Sequence, residues 1–176
     1  MITSIQLYSR KSLFPLLVLF YFFSSSTFAQ ISEGGTPYSF LNLQVGQDFQ
    51  AVNMPEINVP QLLEEDAVEQ SKGVPFRFGY GHSVKLNLSN SGTWQYVDNG
   101  RLWRLKIHAR GATSINLIFG SFFIPEGGKL FIYGLDGKHV IGALTARNNN
   151  EDNVLGTGII PRDEIILEYF EPSDRK

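Results

Sequence analysis

Three observations predict an all-β chain: short apolar runs cut at near-regular intervals by Gly, Pro and Asn turns, clean two-residue alternation from Leu102 to His108, and almost no helical periodicity. Together they imply an antiparallel β-sandwich, of the jelly-roll or immunoglobulin-like kind, with a closed barrel as the alternative, preceded by an extended N-terminal arm.

Met1 to Ala29 has the marks of a signal peptide. Arg10 and Lys11 precede the apolar run Leu13 to Phe23, and the small residues Ser24 to Ser26 and Ala29 follow at the spacing a signal peptidase accepts. The run is shorter than the ~20 apolar residues that span a bilayer, so cleavage after Ala29 and a secreted or periplasmic location are expected, with no membrane attachment afterwards. Residues 30–75 read as the arm, because Gly34-Gly35, Pro37, Pro55, Pro60 and Pro75 interrupt any long element. Within it Gln61 to Gln70 has room for a short helix of about three turns, with Leu62, Leu63, Ala67 and Val68 loosely on one side.

The sandwich is expected over residues 76–172. Val84 to Leu88 and Thr93 to Val97 flank the turn signal Ser89 to Gly92, and Asp98-Asn99-Gly100 leads into the next strand. From Leu102 to His108 the pattern places Trp103, Leu105 and Ile107 on a buried face and Arg104, Lys106 and His108 on a wet one. The runs TSINLIFGSFF, KLFIYG, HVIGALT and EIILEYF supply the remaining strands, separated by Pro125 to Gly128, Leu135 to Lys138 and the polar loop Arg147 to Asn153. Trp103, Leu105, Ile107, Ile115, Leu117, Phe119, Phe131 and Tyr133 are the expected core, and residues 173–176 are a polar tail or the start of a linker.

Composition narrows the function. Without Arg10 and Lys11, acidic residues outnumber basic ones, which argues against a nucleic-acid partner or an anionic membrane surface. The chain has no cysteine, which excludes a disulfide framework, a thiolate nucleophile and a Cys-based zinc site. His82, His108 and His139 are scattered and none has a second histidine at metal-ligand spacing. Gly-x-Ser-x-Gly is absent, Gly79-Tyr80-Gly81 and Gly127-Gly128-Lys129 are incomplete phosphate cradles, and the adjacent acids Glu64-Glu65-Asp66, Glu151-Asp152 and Asp163-Glu164 read as solvated loop residues. No cofactor, no metal and no catalytic residue is expected. Two candidate binding sets are: Trp94 with Tyr96, on one strand face as in a sugar platform, and Asn148, Asn150 and Asp152, at alternate positions as in a shallow calcium loop. An EF-hand is excluded, because Asn153 stands where it needs glycine and Ile159 where it needs glutamate.

The order of six blocks adds a resemblance. GGTPYSF, MPEINVPQLLEED, GVPFRFGYGHSV, the stretch from Gly92 to Gly134, HVIGALTARNN and EIILEYFEP, in that succession over Ile31 to Pro172, resemble the N-terminal region of secreted bacterial trypsin-like serine proteases of the lysyl-endopeptidase-like group. The resemblance implies a non-catalytic pro or accessory module whose partner is a trypsin-like peptidase domain. In that family the triad residues lie further along the chain, so none is carried over here. A fragment of a longer precursor and a stand-alone copy both fit this reading, and the alternative is a secreted β-sandwich that binds glycan or cell-surface protein.

Overall fold

The computed structural model describes residues 32–41, 45–46 and 48–174; the expected leader and Arg175 and Lys176 lie outside the described residues. In chain order the elements are α1 (Tyr38–Leu41), β1 (Ala51–Asn53), α2 (Val59–Gln70), β2 (Thr93–Val97), β3 (Gly100–His108), β4 (Ile118–Phe119), β5 (Lys129–Gly134), β6 (Val140–Leu144), a 3-10 turn (Ala146–Asn148), β7 (Leu155–Gly156) and β8 (Glu164–Pro172). Strands predominate, as the alternation predicts, and α2 begins two residues before the expected helix. Asn58 caps it by accepting from the Gln61 amide at 3.3 Å, and Pro60 fits the first turn, where no intrahelical donor is needed.

The main sheet has six strands in the order β1-β3-β8-β5-β6, with β2 also on β3. All nine residues of β3 are in register with β8, from Gly100 opposite Pro172 to His108 opposite Glu164. β8 is therefore central, with β5 antiparallel on its other side. The outer edge of β3 is shared. β2 covers Gly100 to Arg104 in an antiparallel hairpin and β1 covers Lys106 to His108. Gln50 closes the junction, accepting from the Lys106 and Gly92 amides and donating its own amide to Thr93 Oγ1.

The pairing of β1 corrects the purely antiparallel expectation, because β1 runs parallel to β3 and the main sheet is mixed. Parallel neighbours require a long crossover, and here α2 and the chain after it supply one. The same crowding removes the strand expected at Val84 to Leu88: β3 has no free edge left for it. Asn87 instead organises a turn, its Oδ1 accepting from the Ser89 and Asn90 amides at 2.9 and 3.0 Å. The long run TSINLIFGSFF yields only β4, which pairs with β7 in a separate two-stranded sheet.

One face of the main sheet is apolar in rows that follow the register: Trp103, Tyr169 and Leu130, then Leu105, Leu167 and Ile132, then Ile107 and Ile165. Phe122, Ile124 and Ile160 cover them, with Ile115, Leu117, Phe119 and Leu155 half-buried against the same cluster. Each large side chain fully buried there contributes about 1.5–3 kcal/mol. The loop before β2 lies on Trp103, whose indole N–H donates to the Ser91 carbonyl at 2.6 Å.

The second face corrects the expectation of a wet side. Arg104 is only 3% exposed and Glu168, its neighbour on β8, only 1%. The N-terminal arm covers them. Glu168 accepts from the Tyr133 hydroxyl at 2.8 Å and from the Ser39 amide at 3.3 Å, while Ser39 Oγ and Tyr133 Oη lie 2.9 Å apart. Tyr38 stacks on Phe170 and Phe40 meets Tyr133 edge to face. Arg104 donates to the Gly46 carbonyl and to Gln95 Oε1, with its guanidinium 4.5 Å from the centre of the Phe49 ring. Burial pushes the Arg104 guanidinium below its ordinary value, against the opposing pull of Glu168 and Tyr133. It also drives the Tyr133 hydroxyl far above its ordinary 10, with Glu168 adding to the effect, so Tyr133 stays a neutral donor. Further along, the arm exchanges backbone bonds with β6, Glu33 N to Ala143 O at 3.0 Å and Ala143 N to Gly34 O at 2.9 Å, which protects that edge.

Two stability predictions follow from this packing. Glu168→Ala leaves Tyr133 and Ser39 without their acceptor and Arg104 without its nearest counter-charge, and lowers stability by roughly 3–5 kcal/mol in denaturant unfolding. At Gly92, φ is +76° and an added Cβ would lie 2.2 Å from the Trp103 ring. Gly92→Ala is therefore expected to cost at least about 1–3 kcal/mol in the same assay, with Trp103 fluorescence reporting the displaced ring.

Candidate functional site

Several charged side chains at the ends of the strands are engaged in the fold. His108, closing β3, has Nδ1 3.2 Å from Asn53 Oδ1 and Nε2 3.7 Å from Asp163 Oδ2. With Met54, Glu56 and Arg110 it lines a cavity of about 260 Å³, whose lining includes no hydroxyl or amine nucleophile. His82 meets Tyr80 edge to face at 5.1 Å, and His139 sits in the β5–β6 turn, so the three histidines stand on separate elements. Of the acids, Glu65 and Asp66 hold Arg77 at 3.2 and 3.1 Å, and Glu164 meets Lys106 at 3.2 Å. Among the described residues no three His, Asp or Glu side chains are grouped to hold a metal ion.

Trp94 and Tyr96 share a face of β2 but have different surroundings. Trp94 donates its indole N–H to the Leu88 carbonyl at 3.0 Å, meets Tyr169 edge to face and is covered by the Arg101 guanidinium at 4.2 Å. Arg101 is itself held by Glu171, whose hydrogen bond raises its pKa. Only Tyr96 stands largely free of the protein surface. A sugar stacking here would find one open ring, and the second is spent on core packing.

The loop Arg147 to Asn153 uses its amides on its own backbone. Asn148 is buried and its Oδ1 caps the 3-10 turn by accepting from the Thr145 amide at 2.9 Å. Asn149 makes a two-way bond with the Ile124 backbone, and Asn150 does the same with Val154. Asp152 is exposed. Two of the three proposed calcium ligands, Asn148 and Asn150, are thus committed to turn formation.

Beside this loop lies a surface that sequence alternation did not single out. In the β4–β7 layer Phe119 and Leu155 face the core, as do Phe122 and Ile124 in the segment that follows β4. Their neighbours must then face outward, and Ile118 and Phe123 are 75% and 71% exposed, with Val154 exposed next to them in sequence to Leu155. The Phe122 amide donates to the Asn153 carbonyl at 2.7 Å, which ties Phe123 to the polar loop. Apolar groups rimmed by Asn and Asp side chains have the make-up of a protein contact. The signal lay in the run SFFIP: two adjacent phenylalanines in an extended segment cannot both enter one core.

No family model matches the chain, and no solved structure matches it. No described helix is long and apolar enough to cross a membrane. The resemblance to a protease leading region therefore rests on the six sequence blocks.

The ion pairs make one pH prediction. The hydrogen bond from Arg162 holds the Asp136 carboxyl below its ordinary 3.8, with the Lys138 amide acting in the same direction. A lowered folded pKa means stabilisation that is present above the unfolded value and lost as pH falls through the folded one. Asp136→Asn is expected to lower the melting temperature at about pH 7 and to lower it progressively less as pH falls below the unfolded value, by scanning calorimetry.

Proposed function

We propose that this chain is the exported, non-catalytic leading module of a trypsin-like serine protease precursor, and that it acts by binding the peptidase domain. The succession of blocks over Ile31 to Pro172 supports the family. The exposure of the apolar side chains Ile118, Phe123 and Val154 in and around the β4–β7 layer is the observation that carries the mode of action, since exposed apolar groups rimmed by polar ones suit a protein contact. We read the architecture as a shallow β-sandwich of the jelly-roll or immunoglobulin-like kind, in which the β4–β7 layer is the smaller sheet. Such a module guides a slow, non-local fold or covers a finished active site by shape alone. A glycan platform is the weaker reading, because Arg101 and Tyr169 already occupy Trp94.

The test is titration of the purified chain, in trans, against a lysyl-endopeptidase-like peptidase domain from the same source, following refolding yield and peptidase activity. The expected result is faster refolding or saturable inhibition, weakened at least roughly 30-fold by Phe123→Asp, a loss of hot-spot size, with the melting temperature unchanged. No effect of the wild-type chain on either readout, with the chain itself unfolding cooperatively, overturns the reading.

A further inference from the structure

Between α2 and the turn at Asn87 the chain does something unusual for an apolar segment: until Leu86, which packs against the core, it stays outside. Leaving the helix at Gly73, where φ is +82°, it runs from Val74 to Asn87 with no helix, turn or sharp bend. Among the described residues, no backbone N–H or C=O from Pro75 to Val84 has a hydrogen-bond partner. Phe76, Phe78 and Tyr80 are 59%, 86% and 52% exposed, and Val74 is exposed as well. These four stand at alternate positions, which share one side wherever the chain is fully extended. Arg77, of opposite parity, bridges Glu65 and Asp66 and fastens the segment to α2. An extended backbone without hydrogen-bond partners, pinned through Arg77 and with its aromatic side chains free, is an edge ready for pairing.

The order of residues indicates the partner. Phe76-Arg77-Phe78-Gly79-Tyr80 is nearly symmetric about Phe78, so a second copy laid antiparallel on the first sets Phe78 opposite Phe78 and Phe76 opposite Tyr80 on both sides. Three cross-strand aromatic pairs result. The register also accommodates Pro75. If Phe78 exchanges hydrogen bonds with its copy, then Val74, Phe76, Tyr80 and His82 do likewise, while the amide positions of 75, 77, 79 and 81 face away. The missing N–H of Pro75 then costs nothing. Arg77 falls opposite Gly79, and Gly79 and Gly81 have open space where a Cβ would stand, so neither face obstructs the approach.

Area agrees with this. At about 150–250 Å² per aromatic, the exposed parts of the three rings amount to roughly 400 Å² per copy, the ceiling on what ring pairing can bury against the ~800 Å² per partner of a standard interface. The paired backbones and the exposed Val74 supply much of the rest. From the unpaired backbone, the near-palindrome and the area we propose that the chain forms a two-fold symmetric homodimer by antiparallel pairing of residues 74–82. The contact is isologous, so it closes at two copies. It uses residues distinct from Ile118 and Phe123, and stands or falls apart from the peptidase reading.

The absence of cysteine permits a direct test. In an antiparallel hydrogen-bonded pair the facing Cα atoms are about 5.5 Å apart, at the preferred disulfide separation. Phe78→Cys is expected to cross-link with its own copy under mild oxidation, while Tyr96→Cys, at an equally exposed site, does not. Sedimentation of the cysteine-free chain is expected to show concentration-dependent dimer, weakened at least roughly 30-fold by Phe78→Asp, with the circular dichroism unchanged. Like charges at Phe78 face each other across the axis, and the register is read by charge: F76K/Y80E, which sets opposite charges opposite, is expected to weaken the dimer less than F76K/Y80K, which sets like charges opposite. A monomer at all concentrations, a dimer indifferent to Phe78→Asp, or equal cross-linking at positions 78 and 96 overturns the proposal. An unrelated protein bound by a chain that sediments as a monomer overturns it too, because the strand then serves a different partner.

Discussion

The carboxylate of Glu168 is the constraint on which the rest of the fold depends. It sits at the centre of the central strand, almost without solvent, and a charge there is tolerable only with donors around it. Tyr133 on the neighbouring strand supplies one and the Ser39 amide of the arm another. Arg104, directly across the β3–β8 pair, supplies the nearest opposite charge. The arm is thus structural: without it, two buried ionisable groups would lie on an open sheet face. Its aromatic side chains do the complementary work, Tyr38 on Phe170 and Phe40 on Tyr133, so the polar bonds form where water is excluded.

That arrangement also explains where the free surfaces are. The arm protects β6, while β1 and β2 divide the outer edge of β3 between them, so the chain between them has no sheet edge of its own to join. Residues 74–84 are left extended beside α2, held by Arg77. The apolar face of the main sheet is closed by a thin layer, β4 and β7 with the segments around them. A layer one chain thick must alternate inward and outward residues, and Ile118 and Phe123 are its outward members. Both exposed apolar surfaces are consequences of covering the main sheet.

Local pattern revealed the parts of the fold that depend on local pattern. The alternation of Leu102 to His108 identifies β3 and the buried side of Trp103, Leu105 and Ile107, because one buried face imposes a period of two. Asp98-Asn99-Gly100 identifies the β2–β3 hairpin. The same alternation misjudged Arg104, since what covers a second face is decided by a segment more than fifty residues away in sequence. Val84 to Leu88 has strand composition, yet a strand needs an edge, and competition for the edge of β3 is invisible in sequence. For the sites, Trp94 was legible as an aromatic on a strand but its engagement with Arg101 was not, because cross-strand register sets that contact. Asn148 and Asn150 sit at ligand-like spacing for a reason local to the loop: asparagines that cap turns recur at similar intervals.

The most direct test of the account is amide hydrogen exchange resolved over the arm and over β8. If the arm closes the second face, the Ser39 amide and the Glu33 and Ala143 amides exchange with protection close to that of Leu167 and Glu168, and all of them open together. If the arm amides exchange like an unstructured chain while β3 and β8 remain protected, the second face is open, and the role given to Glu168 is wrong.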